Sequence, residues 1–355
     1  MGSKPARTAL HGIHRRLGAR MVDFHGWEMP LQYSGILEEH RAVRTRAGLF
    51  DLGHMGRVRV RGPGRRAFLQ NLLTVDVERI PPGRCRYTFF LTPHGTILDD
   101  LILYAGREDD LLVLNASNRE KDLAWMERHR PPGVEIEDQT FSLALLAVQG
   151  PESLPTVRKA LDLDPAPLGY YTHAAFGEIL ISRTGYTGED GFEIFLPLAR
   201  AAGAWERLRE CGAVPVGLGA RDTLRTEAGM PLYGNEIDET TTPLEAGLRF
   251  AVELDKPPFL GRDALRAAGT PARRLAGLLL ESRRIARKDS AVLFDGRPCG
   301  RVTSGTWSPT LERSIAMAYL PAAAGMPGTR ALVEIRGRLE PASVVKLPFY
   351  RREKP

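Results

Sequence analysis

Ala291-Val292-Leu293-Phe294-Asp295-Gly296-Arg297 places a short apolar run directly before an Asp-Gly pair. Asp-Gly between two strand patterns is a strong hairpin signal, because the two central residues of the tight turn need positive φ. Similar short apolar runs surround it: Leu275–Leu280, Ile315–Leu320, Ala331–Ile335 and Ser343–Leu347. Turn residues separate them, and no helical period is present. This texture predicts an all-β C-terminal domain, a barrel or sandwich, divided from the rest near Ala268–Pro271.

Upstream, helix and strand signals alternate irregularly. Leu10, Ile13, His14 and Leu17 have helical spacing, with Gly18 as a stop. A helix is predicted over Ile36–Ala47, capped by Ser34 and closed by Gly48, and another after Pro63. Strands are predicted at Arg86–Leu91, Ile97–Tyr104, Leu111–Asn115, Leu143–Val148, Gly177–Arg183 and Phe192–Leu196. Ser117 and Glu120 form a capping box for a helix over Asn118–Arg130. Further helices are expected at Leu198–Cys211 and around Ala220–Ala228.

Composition narrows the function. The chain has 355 residues, of which 43% are apolar and 26% charged, as in folded globular proteins. No apolar run approaches the ~20 residues that span a bilayer. Three scattered cysteines, Cys85, Cys211 and Cys299, argue against a disulfide framework, a thiolate zinc site and an iron–sulfur cluster. The eight histidines contain no HExxH pair, so no metal is expected. The acid-free first 22 residues lack an apolar leader core and are poor in serine, which reads as a cytoplasmic protein. Charge is uneven: residues 67–261 carry net −12, while both flanking regions are basic. This fits domains that attract each other, or a basic face for an acidic ligand or partner; nucleic acid is disfavoured, since no motif for it accompanies the charge.

Two segments carry candidate chemistry. Thr96-Ile97-Leu98-Asp99-Asp100-Leu101-Ile102-Leu103 sets two carboxylates in an apolar strand. A buried carboxylate is normally paired, protonated or functional. Strand period sends Asp99 and Asp100 to opposite faces, so one can face a site while the other is solvated. A strand-end pair at a hairpin is the alternative. Arg183-Thr184-Gly185-Tyr186-Thr187-Gly188-Glu189-Asp190-Gly191-Phe192-Glu193 is a strand, a glycine-rich turn and a strand, with Glu193 inside the apolar run. The glycines allow close backbone approach to a ligand, but neither a phosphate loop nor a following helix is present. Val216-Gly217-Leu218-Gly219-Ala220-Arg221-Asp222 has Asp222 where a dinucleotide fingerprint has its third glycine. Arg221 can instead fork onto a ligand carboxylate.

These motifs, with Gly18–Pro30 (Gly-Ala-Arg-Met-Val-Asp-Phe-His-Gly-Trp-Glu-Met-Pro), Glu39–Arg44, Gly48–Met55, Asn115–Asp122, Glu227–Met230, Tyr233-Gly234, Thr303–Gly305 and Ser308–Leu311, resemble the aminomethyltransferases, the T-protein family of the glycine cleavage system. The resemblance runs in order over nearly the whole chain. It implies an α+β fold, a three-domain cloverleaf with ferredoxin-like α+β units and a C-terminal all-β barrel-like domain. Residues 1–270 would form the folate-binding region of two intertwined α+β domains, and 271–355 the barrel. It implies transfer of a methylene carbon from the aminomethyl-lipoyl arm of H-protein to tetrahydrofolate, with no metal, nucleic acid or membrane. Carried over by position, Asp100 is the catalytic carboxylate, and Tyr87, Asn115, Tyr186, Glu193 and Arg221 contact folate; Arg351 is the C-terminal candidate. Gly53 and Thr96 depart from the family's usual Ser and Gly.

Two rivals share the fold. One is a stand-alone folate-dependent demethylase. The other is a non-catalytic folate-binding iron–sulfur assembly factor. The second carries a Lys-Gly-Cys-Tyr-x-Gly-Gln-Glu segment where Asp255–Arg262 here has no cysteine.

Overall fold

The computed structural model describes residues 4–352. Within them, the N-terminal two thirds form two mainly antiparallel sheets backed by helices. The first sheet has the strand order His173–Phe176, Ile179–Ser182, Gly191–Pro197, Leu143–Gln149, Gly48–Asp51, Val214–Pro215. Its outer face packs the helices His11–Arg16, Ser153–Leu161 and Ala201–Glu210 around the buried Trp205. The second sheet runs Cys85–Leu91, Ile97–Ala105, Asp109–Leu114, Gly56–Arg61, Glu135–Asp138. The helices Arg65–Leu72 and Arg119–Arg128 cover its outer face. The inner faces share a cluster that includes Phe50, Leu145, Ala147 and Phe195 from one sheet and Cys85, Tyr104, Leu111 and Val113 from the other. The expected α+β architecture is met. Among the described residues no helix is long and apolar enough to cross a membrane.

From Arg273 onward six strands close into a barrel, in the order Arg273–Leu280, Arg313–Pro321, Arg297–Ser308, Ala291–Phe294, Arg330–Ile335, Arg338–Val345. Asp295 and Gly296 adopt φ of 48° and 74°, the turn that their identities require. Closure gives every strand of the barrel a neighbour on both sides, where an open sheet would leave two edges exposed. The second strand of that Asp295-Gly296 hairpin, Arg297–Ser308, runs for 12 residues; the sequence implies its start at the turn but not its length, which Pro298, Gly300 and Gly305 disguise.

The helix over residues 36–47 differs in both its ends. Glu39 takes over from Ser34: its Oε1 accepts the backbone N–H groups of Tyr33 and Gly35, at 2.5 and 3.1 Å. The helix ends at Thr45, and Gly48 opens a strand instead of capping. A Cβ at Gly48 would lie 2.4 Å from Val43 Cγ2 and 2.9 Å from Val216 Cγ2. Glycine is there for close packing, not for positive φ.

One buried carboxylate pins the barrel to the body. Glu227 Oε2 accepts Arg44 Nη2 at 2.7 Å and Thr310 Oγ1 at 2.8 Å, with His40 Nε2 at 3.2 Å. Its Oε1 accepts Ser308 Oγ and Thr310 N–H. Burial raises the Glu227 carboxyl, but His40, Arg44 and Ser308 outweigh it and hold the group down at about 2. Such a carboxylate adds stability above its unfolded value, lost as pH falls through about 2. Glu227→Gln is therefore expected to lose about 3 kcal/mol at pH 7, by removing the charge that Arg44 Nη2 and His40 face, although Arg44 keeps Glu189 at 2.9 Å. Denaturant melts checking this should show the deficit shrinking below about pH 4.

Candidate active site

The cavity between the two sheets is about 320 Å³. Tyr87, Asp100, Asn115, Tyr186, Glu193 and Arg221 all line it, though they come from five different segments of the chain. The second sheet supplies Tyr87 and Asp100; Asn115 follows its strand Asp109–Leu114; the first sheet supplies Glu193. Arg221 comes from the helix Leu218–Glu227, and Tyr186 from the glycine-rich turn.

Asp100 sits on the cavity face of its strand. Its Oδ2 accepts the Tyr87 hydroxyl at 2.9 Å and its Oδ1 accepts Asn115 Nδ2 at 2.6 Å. Burial, reinforced by the neighbouring Asp99 charge, pushes the Asp100 carboxyl up to about 7 against the pull of these two donors. It thus changes charge close to neutrality, where a group that binds and releases protons is most effective. Of the two fates left open for the second carboxylate, solvation is not the one Asp99 takes. Asp99 is fully buried and accepts Asn115 N–H at 3.2 Å, Asn115 Nδ2 at 2.9 Å and Asn118 Nδ2. Period 2 turns it from the cavity, but the helix Arg119–Arg128 covers that face.

Glu193 bridges the sheets. Its Oε2 accepts Tyr104 OH at 2.9 Å and Thr184 Oγ1 at 2.5 Å. Its Oε1 has no protein donor among the described residues. Arg221 likewise has no carboxylate or carbonyl partner there; its guanidinium lies 4.7 Å from the Tyr186 ring centre. Burial pulls its pKa down from the ordinary value. A half-buried guanidinium with no ion pair among the described residues is suited to an anionic ligand group. The Tyr186 hydroxyl donates to Pro231 O, which ties the glycine-rich turn to the loop across the cavity.

The glycine-rich turn lines the cavity through Gly185 and Tyr186, and Gly185 also answers a packing need. A Cβ at Gly185 would collide with the Gln149 amide, 1.9 Å from Oε1. Gly185 thus makes room for Gln149, whose Nε2 donates to Thr184 O at 3.0 Å.

Arg351 is not brought to this lining; it is exposed. Tyr350 takes the inward position. Its backbone N–H donates to Glu227 O at 2.8 Å, its hydroxyl to Glu189 Oε1 at 2.7 Å, and its ring lies 4.0 Å from the Arg44 guanidinium carbon. Anchoring residue 350 inward turns residue 351 out. The two departures from the family pattern have local accounts. Gly53 donates its N–H to Asp51 at 2.8 Å where a Cβ would crowd Thr8, and Thr96 closes its turn through Thr92 Oγ1 at 2.6 Å.

Two lining residues escaped the reading of the sequence. His54 is buried with an unpartnered Nδ1; burial, then the Arg221 charge, pulls its pKa down to about 3, so it is neutral. Its place in a His-Met loop is visible in sequence, but its burial is not. Phe250 is 74% exposed yet borders the cavity, stacked on Tyr87 with ring centres 6.1 Å apart and planes 22° apart. The two rings form a flat aromatic wall beside Asp100.

Residues 10–256 match the family described as the GCVT N-terminal domain, and residues 273–351 match the glycine cleavage T-protein C-terminal barrel domain. The aminomethyltransferase of Rubrobacter xylanophilus is 52% identical over 98% of this chain and 95% of its own. That of Geobacillus kaustophilus is 46% identical over 98% and 99%. The crystal structure of the glycine cleavage system aminomethyltransferase T from Bartonella henselae superposes with a TM-score of 0.94 at 36% identity, covering 98% of this chain and 99% of that one.

Proposed function

Since the chain belongs to the glycine cleavage T-protein family of aminomethyltransferases, we propose that it transfers the methylene carbon of aminomethyl-lipoyl H-protein to tetrahydrofolate. The products are 5,10-methylenetetrahydrofolate, ammonia and dihydrolipoyl H-protein. The chain is a folate-dependent transferase by family. The observation that carries its own site assignment is the convergence of Asp100, Glu193 and the unpartnered Arg221 on one aromatic-walled cavity.

The residues fit tetrahydrofolate. A pterin presents a flat face and an edge of N–H donors. The Tyr87–Phe250 wall offers the stacking surface, and the free Oε1 of Glu193 an acceptor for that edge. Arg221 matches an anionic carboxylate of the glutamate tail. Bound tetrahydrofolate supplies the nitrogens that receive the carbon. Asp100, aimed by Tyr87 and Asn115, places a negative charge where cationic character develops, and can hold the proton that leaves the accepting nitrogen. The cavity's buried walls strengthen that field by excluding water. Turnover should require aminomethylated H-protein, with ammonia and methylenetetrahydrofolate formed in equal amounts. Equal or faster transfer from free methylamines or sulfonium compounds would replace this reading with a demethylase.

Charge points to where the partner docks. Arg283, Arg287 and Lys288 are exposed on the barrel, and Lys288 Nζ donates to Gly234 O in the loop next to the cavity-lining Tyr233. Arg284 is tied to Glu340 at 3.1 Å. An acidic lipoyl-bearing protein drawn to this run would hold its arm close to the cavity mouth. KM for H-protein should then rise with salt more steeply than KM for folate, because screening acts over ~8 Å at physiological ionic strength. Neutralising Arg283, Arg284, Arg287 and Lys288 together should flatten that dependence and spare turnover at saturating partner. An unchanged salt profile would move the docking surface elsewhere.

A further inference from the structure

Behind the catalytic strand lies a third carboxyl that the reaction as described does not use. Asp122 is fully buried on the helix Arg119–Arg128, and neither of its oxygens meets an N–H or O–H donor among the described residues. Asn118, one turn earlier, and Asp122 both reach Asp99. Lys121 beside it points away, with Nζ donating to Leu98 O at 2.8 Å and to Tyr233 OH and Glu239 Oε1 at 2.9 Å. An ionised carboxylate with no donor and no cation is strongly disfavoured in such a place. Two carboxyls in contact there share a proton.

The geometry gives that proton an address. Asp99 already accepts three amide N–H bonds, from Asn115 N, Asn115 Nδ2 and Asn118 Nδ2, which suit the ionised form. Asp122 has none. We propose that Asp122 is a positioning residue for the transfer assigned above: it stays protonated and donates its O–H to Asp99, keeping Asp99 anionic and Asn115 clamped toward Asp100. The link to the site is a single amide: Asn115 Nδ2 reaches Asp99 Oδ1 at 2.9 Å and Asp100 Oδ1 at 2.6 Å.

The charged and titratable groups around the chain of carboxyls agree with this. Asp122 faces Asp99, with Asp100 beyond it and Lys121 on its own helix; burial and then the Asp99 charge drive Asp122 well above the ordinary carboxylate range. Asp100 faces Tyr87 and Tyr186 and feels the Asp99 charge through the strand, as does Tyr233. The negative charge kept on Asp99 is in turn one of the two causes that raise Asp100. Losing the Asp122 donor sends the proton to Asp99 and lets Asp100 titrate lower.

This inference rests on the assigned reaction for its kinetic arm only. In that arm, Asp122→Leu should move the acidic limb of the kcat/KM–pH profile down by about one unit, while Asp122→Asn, which retains an N–H donor, should leave it in place. The second arm needs no substrate. In ligand-free enzyme carrying carboxyl-labelled aspartate, a 13C spectrum at about pH 8.5, above the Asp100 titration, should hold one protonated carboxyl. That signal should vanish in Asp122→Asn and persist, shifted, in Asp122→Leu as protonated Asp99. A wild-type spectrum with every carboxyl ionised overturns the proposal, as does a protonated signal that survives in Asp122→Asn. Absent turnover with a normal spectrum counts against the assigned reaction instead.

Discussion

Asp100→Asn is expected to lower kcat by at least ~10²-fold while raising the thermal midpoint at pH 8. The first effect follows from losing the charge but keeping the shape at the reacting nitrogen. The second follows from linkage. Burial holds the Asp100 carboxyl at about 7, above the 3.8 of an unfolded chain. A carboxyl raised on folding weakens the fold as it ionises: nothing below its unfolded value, a growing penalty up to about 7, and the full penalty above that. The asparagine variant escapes it. Its gain in melting temperature should be larger at pH 8 than at pH 5, and wild-type kcat/KM should decline as pH falls through about 7. Near-wild-type turnover in the variant would remove Asp100 from the chemistry. A variant that melts earlier at pH 8 would mean that the carboxylate is stabilised in the free enzyme.

Arg221→Met and Glu193→Gln are expected to act on binding. Removing one partner of a buried, charged hydrogen bond typically loses ~2–5 kcal/mol, roughly 30- to 4,000-fold in affinity. The guanidinium has no protein partner to release, so nearly all its loss should appear in the ligand complex. Glu193 also holds Tyr104 and Thr184 across the two sheets. Its glutamine variant should therefore melt lower as well, whereas Arg221→Met should not. Calorimetric titration with tetrahydrofolate separates the two from Asp100→Asn, which should bind folate with a smaller loss. Unchanged affinity in both variants would place the ligand elsewhere.

The sequence displays some of this arrangement and conceals the rest, for local reasons. Asp295-Gly296 and the apolar runs around it announce the barrel because turn chemistry and period 2 are short-range signals. Arg297–Ser308 hides because a proline and two glycines interrupt its alternation, while its register is imposed by its neighbours in the barrel. Asp100 is conspicuous as a carboxylate in an apolar run. That Asp99 is also buried depends on Asn115, Asn118 and a covering helix, none of which the period of one strand reveals. Gly48 reads as a cap because glycine licenses one, and Gly185 shows its ligand-loop character but not its packing role; the side chains that crowd them, Val43, Val216 and Gln149, are distant in sequence or on other elements. Arg351 was separated from Tyr350 by one position, and only the contact with Glu189 tells which of the two turns inward.

The first sheet also sets a timetable for the chain as it leaves the ribosome. Gly48–Asp51 lies between Leu143–Gln149, an antiparallel neighbour, and Val214–Pro215, a parallel one. Gly48 thus waits for a partner about 170 residues further on, which at 5–20 residues per second is roughly 10–30 s of synthesis. Throughout that interval the strand holding Phe50 has at least one edge open, and until Leu143–Gln149 is made it has both. The first sheet cannot be completed until the whole of the second, Gly56–Asp138, has been made. Pausing translation before Val214–Pro215 has left the ribosome should leave a protease-sensitive, chaperone-binding intermediate, whereas a pause after that strand has cleared the exit tunnel should leave the first sheet protected.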